Sequence, residues 1–257
     1  MKRIHLVALF AAALSLSALT APACAAGWGF TVTPYVWATG IGVDADLAGR
    51  QVVDKDISVN DLVKDLDTIF QMKLAVTYGR FGLYADGFDV NLSNDKNGVT
   101  LPQGVGSADL SSTAGMTIVD VAGTFDPIGD RSGLEIVAGS RILNERATVD
   151  ATIRPSPGGT SLQSYDTHET LGDALIGVQF RHAVWGRFGM QMQADASTGG
   201  TDYTWSVAPS VTCALDKLGR VGIDAGYRYM KIDFKDDGSL DTQMRLSGAI
   251  VGLRTSF

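Results

Sequence analysis

The chain has 257 residues, with 28 Asp and Glu against 21 Lys and Arg, and a formal net charge of −7. An acidic chain with scattered cations does not suit nucleic acid as a partner. After position 26 no uninterrupted apolar run approaches the ~18 residues of a transmembrane helix, so any membrane crossing must be made by strands closed into a barrel.

The amino end reads as a secretory signal peptide. Lys2 and Arg3 are charged, Ile4 to Ala18 is apolar, and Ala23-Cys24-Ala25 is a small-residue cleavage site. The apolar stretch is shorter than the ~20 residues of an anchor, and Ala21 stands where a lipobox before Cys24 wants Leu. Residues 1–25 are therefore set aside as the leader, with cleavage after Ala25 or Ala26, and 26–257 read as one domain. Cleavage takes the net charge to −9 and leaves Cys213 alone, so no internal disulfide is possible.

Ten alternating segments follow: 29–41, 68–78, 81–92, 114–125, 133–147, 170–183, 187–198, 203–215, 220–234 and 243–257. In 68–78, Phe70, Met72, Leu74, Val76 and Tyr78 face one way, and Gln71, Lys73 and Thr77 the other. That is the two-residue period of a strand with one apolar face. Gly, Asp and Pro punctuate the junctions, as turns require. The connections at 79–80, 126–132, 184–186 and 216–219 are short. Those at 42–67, 93–113 and 148–169 are long, and those at 199–202 and 235–242 modest. Short and longer connections alternate, as they do in outer-membrane barrels with an even strand count. Residues 59–67 read as a short helix in the first external loop, with Leu62, Val63 and Leu66 on one side. Eight or twelve strands are the alternatives to ten, because 43–57 could form an added hairpin beyond the membrane.

Parity along these segments puts Lys73, Asp86, Asp120, Glu135, Arg141, Asp173, Arg181, Arg187, Asp195, Asp224, Arg228 and Arg254 on the non-lipid face. Ile118, Ile136, Ile176, Val178, Phe180, Phe188, Met190, Met192, Ile223, Tyr227 and Tyr229 mostly fall on the other face. A charge facing lipid at the midplane costs ~2–4 kcal/mol, so the twelve belong in the lumen. Ten strands enclose a narrow lumen. Six acids and six bases inside it imply a salt-bridge network that plugs the barrel. In segment 81–92 this choice also sends Tyr84, Phe88 and Val90 inward, and Pro209 interrupts 203–215, since proline cannot donate to a ladder. A soluble β-sandwich or lipocalin-like barrel would bury the apolar face instead. Aromatics near the segment ends (Trp28, Trp37, Tyr78, Phe81, Trp185, Tyr203, Trp205, Tyr227, Tyr229) favour interfacial girdles over that reading.

Thr33-Pro34-Tyr35-Val36-Trp37, Gly226-Tyr227-Arg228-Tyr229 and the closing Leu246 to Arg254 with Phe257 resemble the uncharacterised small outer-membrane β-barrel proteins of proteobacteria. Ala249 stands for that family's usual Pro, and Thr255-Ser256 for its Tyr-Arg. The resemblance implies a porin-like transmembrane antiparallel up-and-down barrel in a Gram-negative outer membrane. It also implies Phe257 as a membrane-insertion signal read by the barrel-assembly machinery, and outer-membrane lipid and lipopolysaccharide as surroundings. It carries no activity and no surface ligand to transfer.

Catalytic candidates are few. His168, beside Asp166 and Glu169, could be half of an acid/base site, although a solvated loop histidine has the same pattern. His182 sits near a turn. No nucleophile elbow and no Cys or His pair at metal spacing occurs. Asp54, Asp56, Asp61, Asp65 and Asp67, and Asp236-Asp237-Gly238, are acidic loops rather than a committed cation site. The expectation is a non-enzymatic barrel without cofactor or metal, in a structural or surface-interaction role. The alternatives are a narrow channel for ions or small solutes and a surface hydrolase or acyltransferase.

Overall fold

The computed structural model describes residues 27–47, 50–57, 66–100, 106–129, 133–155, 161–234 and 240–257. Their strands are β1 (Trp28–Leu47), β2 (Arg50–Ile57), β3 (Leu66–Tyr78), β4 (Phe81–Thr100), β5 (Gly106–Phe125), β6 (Leu134–Pro155), β7 (Ser161–Trp185), β8 (Phe188–Gly199), β9 (Tyr203–Ala214), β10 (Val221–Asp233) and β11 (Leu240–Ser256). β1 and β3 to β11 form a closed ten-strand antiparallel barrel, because β11 pairs back onto β1 along its whole length. Closure leaves the ten-strand ring without an unpaired edge, the one sheet form that hydrocarbon tolerates. At the seam the Phe257 amide donates to the Phe30 carbonyl at 2.8 Å.

β2 is the added hairpin. The lower half of β1 pairs with β3 and its upper half with β2, so β2 extends the wall above β3. The strands also run further than apolar alternation indicated. β4 and β5 pair as far as Thr100 and Ser107, and β6 and β7 as far as Ile153 and Ser161. The stretches 93–113 and 148–169 are thus mostly projecting hairpins rather than loops. Above the apolar belt both faces of a strand are wet, and the two-residue signal disappears while backbone pairing continues. The described residues contain no helix. The expected helix falls mainly on 58–65, outside the described residues, and Leu66 and Asp67 already belong to β3. The leader 1–25 lies outside them as well. At the opposite end, Gly79 and Gly186 open two-residue turns with φ of 54° and 58°, a left-handed conformation natural to glycine.

The outward face is banded. Around the short-turn end, Trp28, Tyr78, Phe81, Phe125, Trp185 and Phe188 are exposed. Trp28 lies 4.8 Å from Tyr78 and Phe81 lies 5.3 Å from Phe125, ring centre to ring centre. Leu74, Leu83, Val121, Ile136, Ile176, Met192, Val211 and Val251 cover the belt above them. A polar collar then closes the belt. Asn144 Nδ2 donates to Thr170 Oγ1, Thr148 Oγ1 to Asp166 Oδ1, Thr117 Oγ1 to Asp89 Oδ1, and Lys231 and Arg245 pair with Asp233 and Asp44. Pro209 faces outward, and the β9–β10 ladder skips it, passing from Ser210–Gly226 to Val207–Tyr229. Ile118 departs from the outward set: it shares the parity of Asp120 and is buried inside.

Candidate functional site

The distinctive chemistry lies in the lumen, and strand register assembles it. Lys73, Asp86, Asp120, Arg141 and Asp173 occupy directly opposed positions on five consecutive strands, β3 to β7. Opposed like charges such as Asp86 and Asp120 destabilise a sheet unless cations reach them. Two arginines do. Arg141 grips Asp120 in a fork, with Nε–Oδ1 at 2.7 Å and Nη2–Oδ2 at 2.8 Å, and reaches Asp195 at 2.8 Å. Arg228 crosses from the β10 wall to within 3.6 Å of Asp86 and 3.8 Å of Asp120. Neutral groups complete the set. Tyr35 donates to Asp86 at 2.8 Å and Ser206 to Asp195 at 2.9 Å, while Trp37 presents its ring 5.0 Å from the Arg228 guanidinium. All five charged members of this central cluster are buried.

The other charges of the sequence reading lie elsewhere. Lys73 donates to Gln193 at 2.9 Å and sits 4.5 Å above the Tyr84 ring. Asp173 points inward but serves a different purpose. It accepts from the Thr201 amide and hydroxyl at 2.9 and 2.6 Å and from Ser197 at 2.9 Å, which pins the β8–β9 turn. Arg181 pairs with Glu135, and Arg254 with Asp224 at 3.6 Å. Arg187 is exposed in the β7–β8 turn, one residue before β8 begins. One twelve-member network is therefore not what the lumen holds: five charges form the cluster and two ion pairs stand below it.

Directly above the cluster lies an apolar layer. Trp37, Phe88, Val90, Met116, Ile118, Leu143, Met230, Ile232 and Leu246 pack together, buried. Five strands repeat one pattern. Two residues beyond Tyr35, Asp86, Asp120, Arg141 and Arg228, toward the long hairpins, stand Trp37, Phe88, Ile118, Leu143 and Met230. Trp37 meets Phe88 edge to face at 5.2 Å. The crevice between the layers, bounded by Tyr35, Trp37, Asp86, Phe88, Ile118, Asp120 and Arg228, has no room for a water molecule. The sequence signal is the inward parity of Phe88 and Val90, which in a single strand does not reveal the layer that several strands build. Below the cluster the lumen opens into a vestibule of about 420 Å³ at the short-turn end.

His168 is not in a loop. It lies in β7 opposite Arg146, exposed on the outer wall, and its Nε2 is 3.1 Å from Asn144 Nδ2. Glu169 has the opposite parity, and Asp166 accepts from Thr148. No group of three or more His, Cys, Asp or Glu suited to a metal occurs among the described residues. Asp61, Asp65, Asp236 and Asp237 lie outside them.

No protein-family model matches the sequence, and a search of curated proteins finds no match. Solved structures do match. The outer membrane protease OmpT from Escherichia coli aligns over 90% of this chain and 97% of its own, at 9% identity and a TM-score of 0.52. The Pseudomonas putida toluene transporter TodX aligns over 91% of each chain at 8% identity and a TM-score of 0.39. Neisserial surface protein A aligns over 89% of this chain and 97% of its own, at 14% identity and a TM-score of 0.27. At this identity the OmpT likeness shows the barrel fold and nothing of the chemistry.

Proposed function

We propose that the chain is an outer-membrane β-barrel with a closed lumen, whose role is carried by its projecting hairpins as a structural or surface-interaction element. The observation that carries this reading is the stacking of an apolar layer on a buried ion cluster inside the barrel, with no room for a water molecule in the crevice between them. An ion crossing it would lose its hydration twice, once among Trp37, Phe88 and Ile118 and once in competition with pairs already formed. The aromatic girdle, apolar belt and polar collar support a membrane setting, with the short turns in the periplasm and the hairpins outside. From the collar at Asn144 β6 continues to Pro155, about 35 Å of strand at ~3.3 Å per residue. That length gives a partner a broad surface.

An acid/base enzyme centred on His168 receives no support, because the described partner of its ring is the neutral Asn144. Planar-bilayer recording of the purified protein tests the proposal. Silence is expected, with occasional brief openings at most. Steady conductance would favour the narrow channel and end the closed-lumen reading. Heat-modifiable migration, with hairpin proteolysis in intact cells, tests the address.

A further inference from the structure

We propose that the short-turn vestibule is a binding site for a small organic anion, a carboxylate or a phosphate ester. Its volume of about 420 Å³ falls in the ~300–1,000 Å³ range of ligand pockets. Its charged lining is Lys73, Glu135, Arg181, Arg187, Asp224 and Arg254, four cations against two carboxylates. The carboxylates are engaged: Glu135 holds Arg181, and Asp224 holds Arg254. Arg187 has no carboxylate at ion-pair distance among the described residues, so the cavity carries surplus positive charge. This is a local property of a chain that is acidic overall. Charges beyond a Debye length of ~8 Å are screened, and the lining governs what enters.

Hydrogen-bond accounting points the same way. Arg181 Nε is buried without a hydrogen-bond partner, and Arg254 Nε meets Asp224 Oδ1 only at 3.6 Å, an ion pair too long for a hydrogen bond. Lys73 spends one donor on the Gln193 amide oxygen and lies over Tyr84. The guanidiniums of Arg181 and Arg254 line the cavity from two strands and that of Arg187 from a turn, and guanidinium forks match carboxylate and phosphate geometry. Lys73 and Asp224 also line a second pocket of about 100 Å³ beside Tyr35 and Arg228, so Lys73 stands at the vestibule roof where a bound anion would end. The closed layers above make this a site entered and left by one mouth rather than a path through the barrel.

The test is calorimetric titration of the full chain in phosphatidylcholine nanodiscs with glycerol 3-phosphate, with succinate and, as a cation control, with choline. Binding of at least one anion is expected, weakening as salt rises, with none of choline. Arg187→Ala combined with Arg254→Gln should weaken it on the order of tenfold or more, while Lys217→Ala, on another turn of the same end, leaves it unchanged. Arg187 is exposed, so Arg187→Ala alone keeps the comparison on a folded barrel, checked by heat-modifiable migration. Absence of heat with both anions at tens of millimolar would overturn the proposal. So would binding that the Arg187 and Arg254 substitutions leave untouched.

Discussion

Arg141 is the residue on which the central cluster turns. It hydrogen-bonds two buried carboxylates, Asp120 and Asp195, through three contacts of 2.7 to 2.8 Å. Arg141→Leu would keep the bulk and leave Asp120 only Arg228 at 3.8 Å and Asp195 only the neutral donors Ser206 and Gln193, a loss approaching the ~3–5 kcal/mol of a broken buried pair. Urea unfolding in detergent should register it, with Lys217→Ala as an exposed control; a shift no larger than the control's would mean that water reaches the cluster. A second residue-scale expectation concerns the outer mouth. Glu145 of β6 opposes Glu169 of β7, above the belt. Burial, and then the Glu169 charge, raise its carboxyl to about 7. A carboxyl raised on folding holds its proton more tightly folded than unfolded, so it favours the folded state at low pH. That advantage is lost as pH rises from the ordinary glutamate range through about 7. Hairpin protection in hydrogen exchange should therefore fall between pH 5 and 8, and Glu145→Gln should flatten the profile. An unchanged profile in the variant would assign the dependence to other groups.

Among the elements, the β1–β11 seam makes the strictest demand on sequence. A Cβ placed on inward-facing Gly248 would lie 1.8 Å from the Ala38 carbonyl oxygen and 2.8 Å from the Thr39 Cα, both backbone. No flexible side chain can move aside there, so only glycine lets the last strand close on the first. Gly248→Val is expected to abolish heat-modifiable migration, whereas Ala249→Val, on the outward face beside it, should be tolerated. Normal folding of Gly248→Val would show that the seam can open by more than an ångström. The elements also mark the limits of what the sequence revealed. All ten barrel strands were legible because belt residues such as Leu74, Val76 and Tyr78 alternate with lumen residues such as Lys73, Ala75 and Thr77. The hairpin tops were not, because 93–100 and 148–155 lie where neither face meets lipid. The partners of Asp173 were not legible either. Parity fixes which side of the wall a residue takes, but Thr201 reaches Asp173 only because the β8–β9 turn folds back over it.

At the scale of the whole molecule the proposed closed lumen amounts to two barriers in series over a blind vestibule, and series barriers fail only together. The apolar layer excludes ions because it offers nothing to replace hydration. The cluster beneath it excludes them because Arg141 already ties β6 to β5 and β8, and Arg228 ties β10 to β4 and β5. Trp37→Ala with Phe88→Ala should remove about 3–5 kcal/mol or more, the cost of emptying a large aromatic site. It should nonetheless leave the barrel silent in planar bilayers, since Arg141 and Arg228 would still span the lumen with Asp86, Asp120 and Asp195. Arg228→Ser with Asp86→Ser, which removes one charge of each sign, should also be silent, because the apolar layer stays intact. Steady conductance is expected only when the four substitutions are combined in one chain. Current through the Trp37 and Phe88 variant alone would show that the ion cluster is permeable. The closed state of the native barrel would then rest on its apolar layer, and the sequence-level idea of a charge-plugged lumen would have picked the lesser of the two gates.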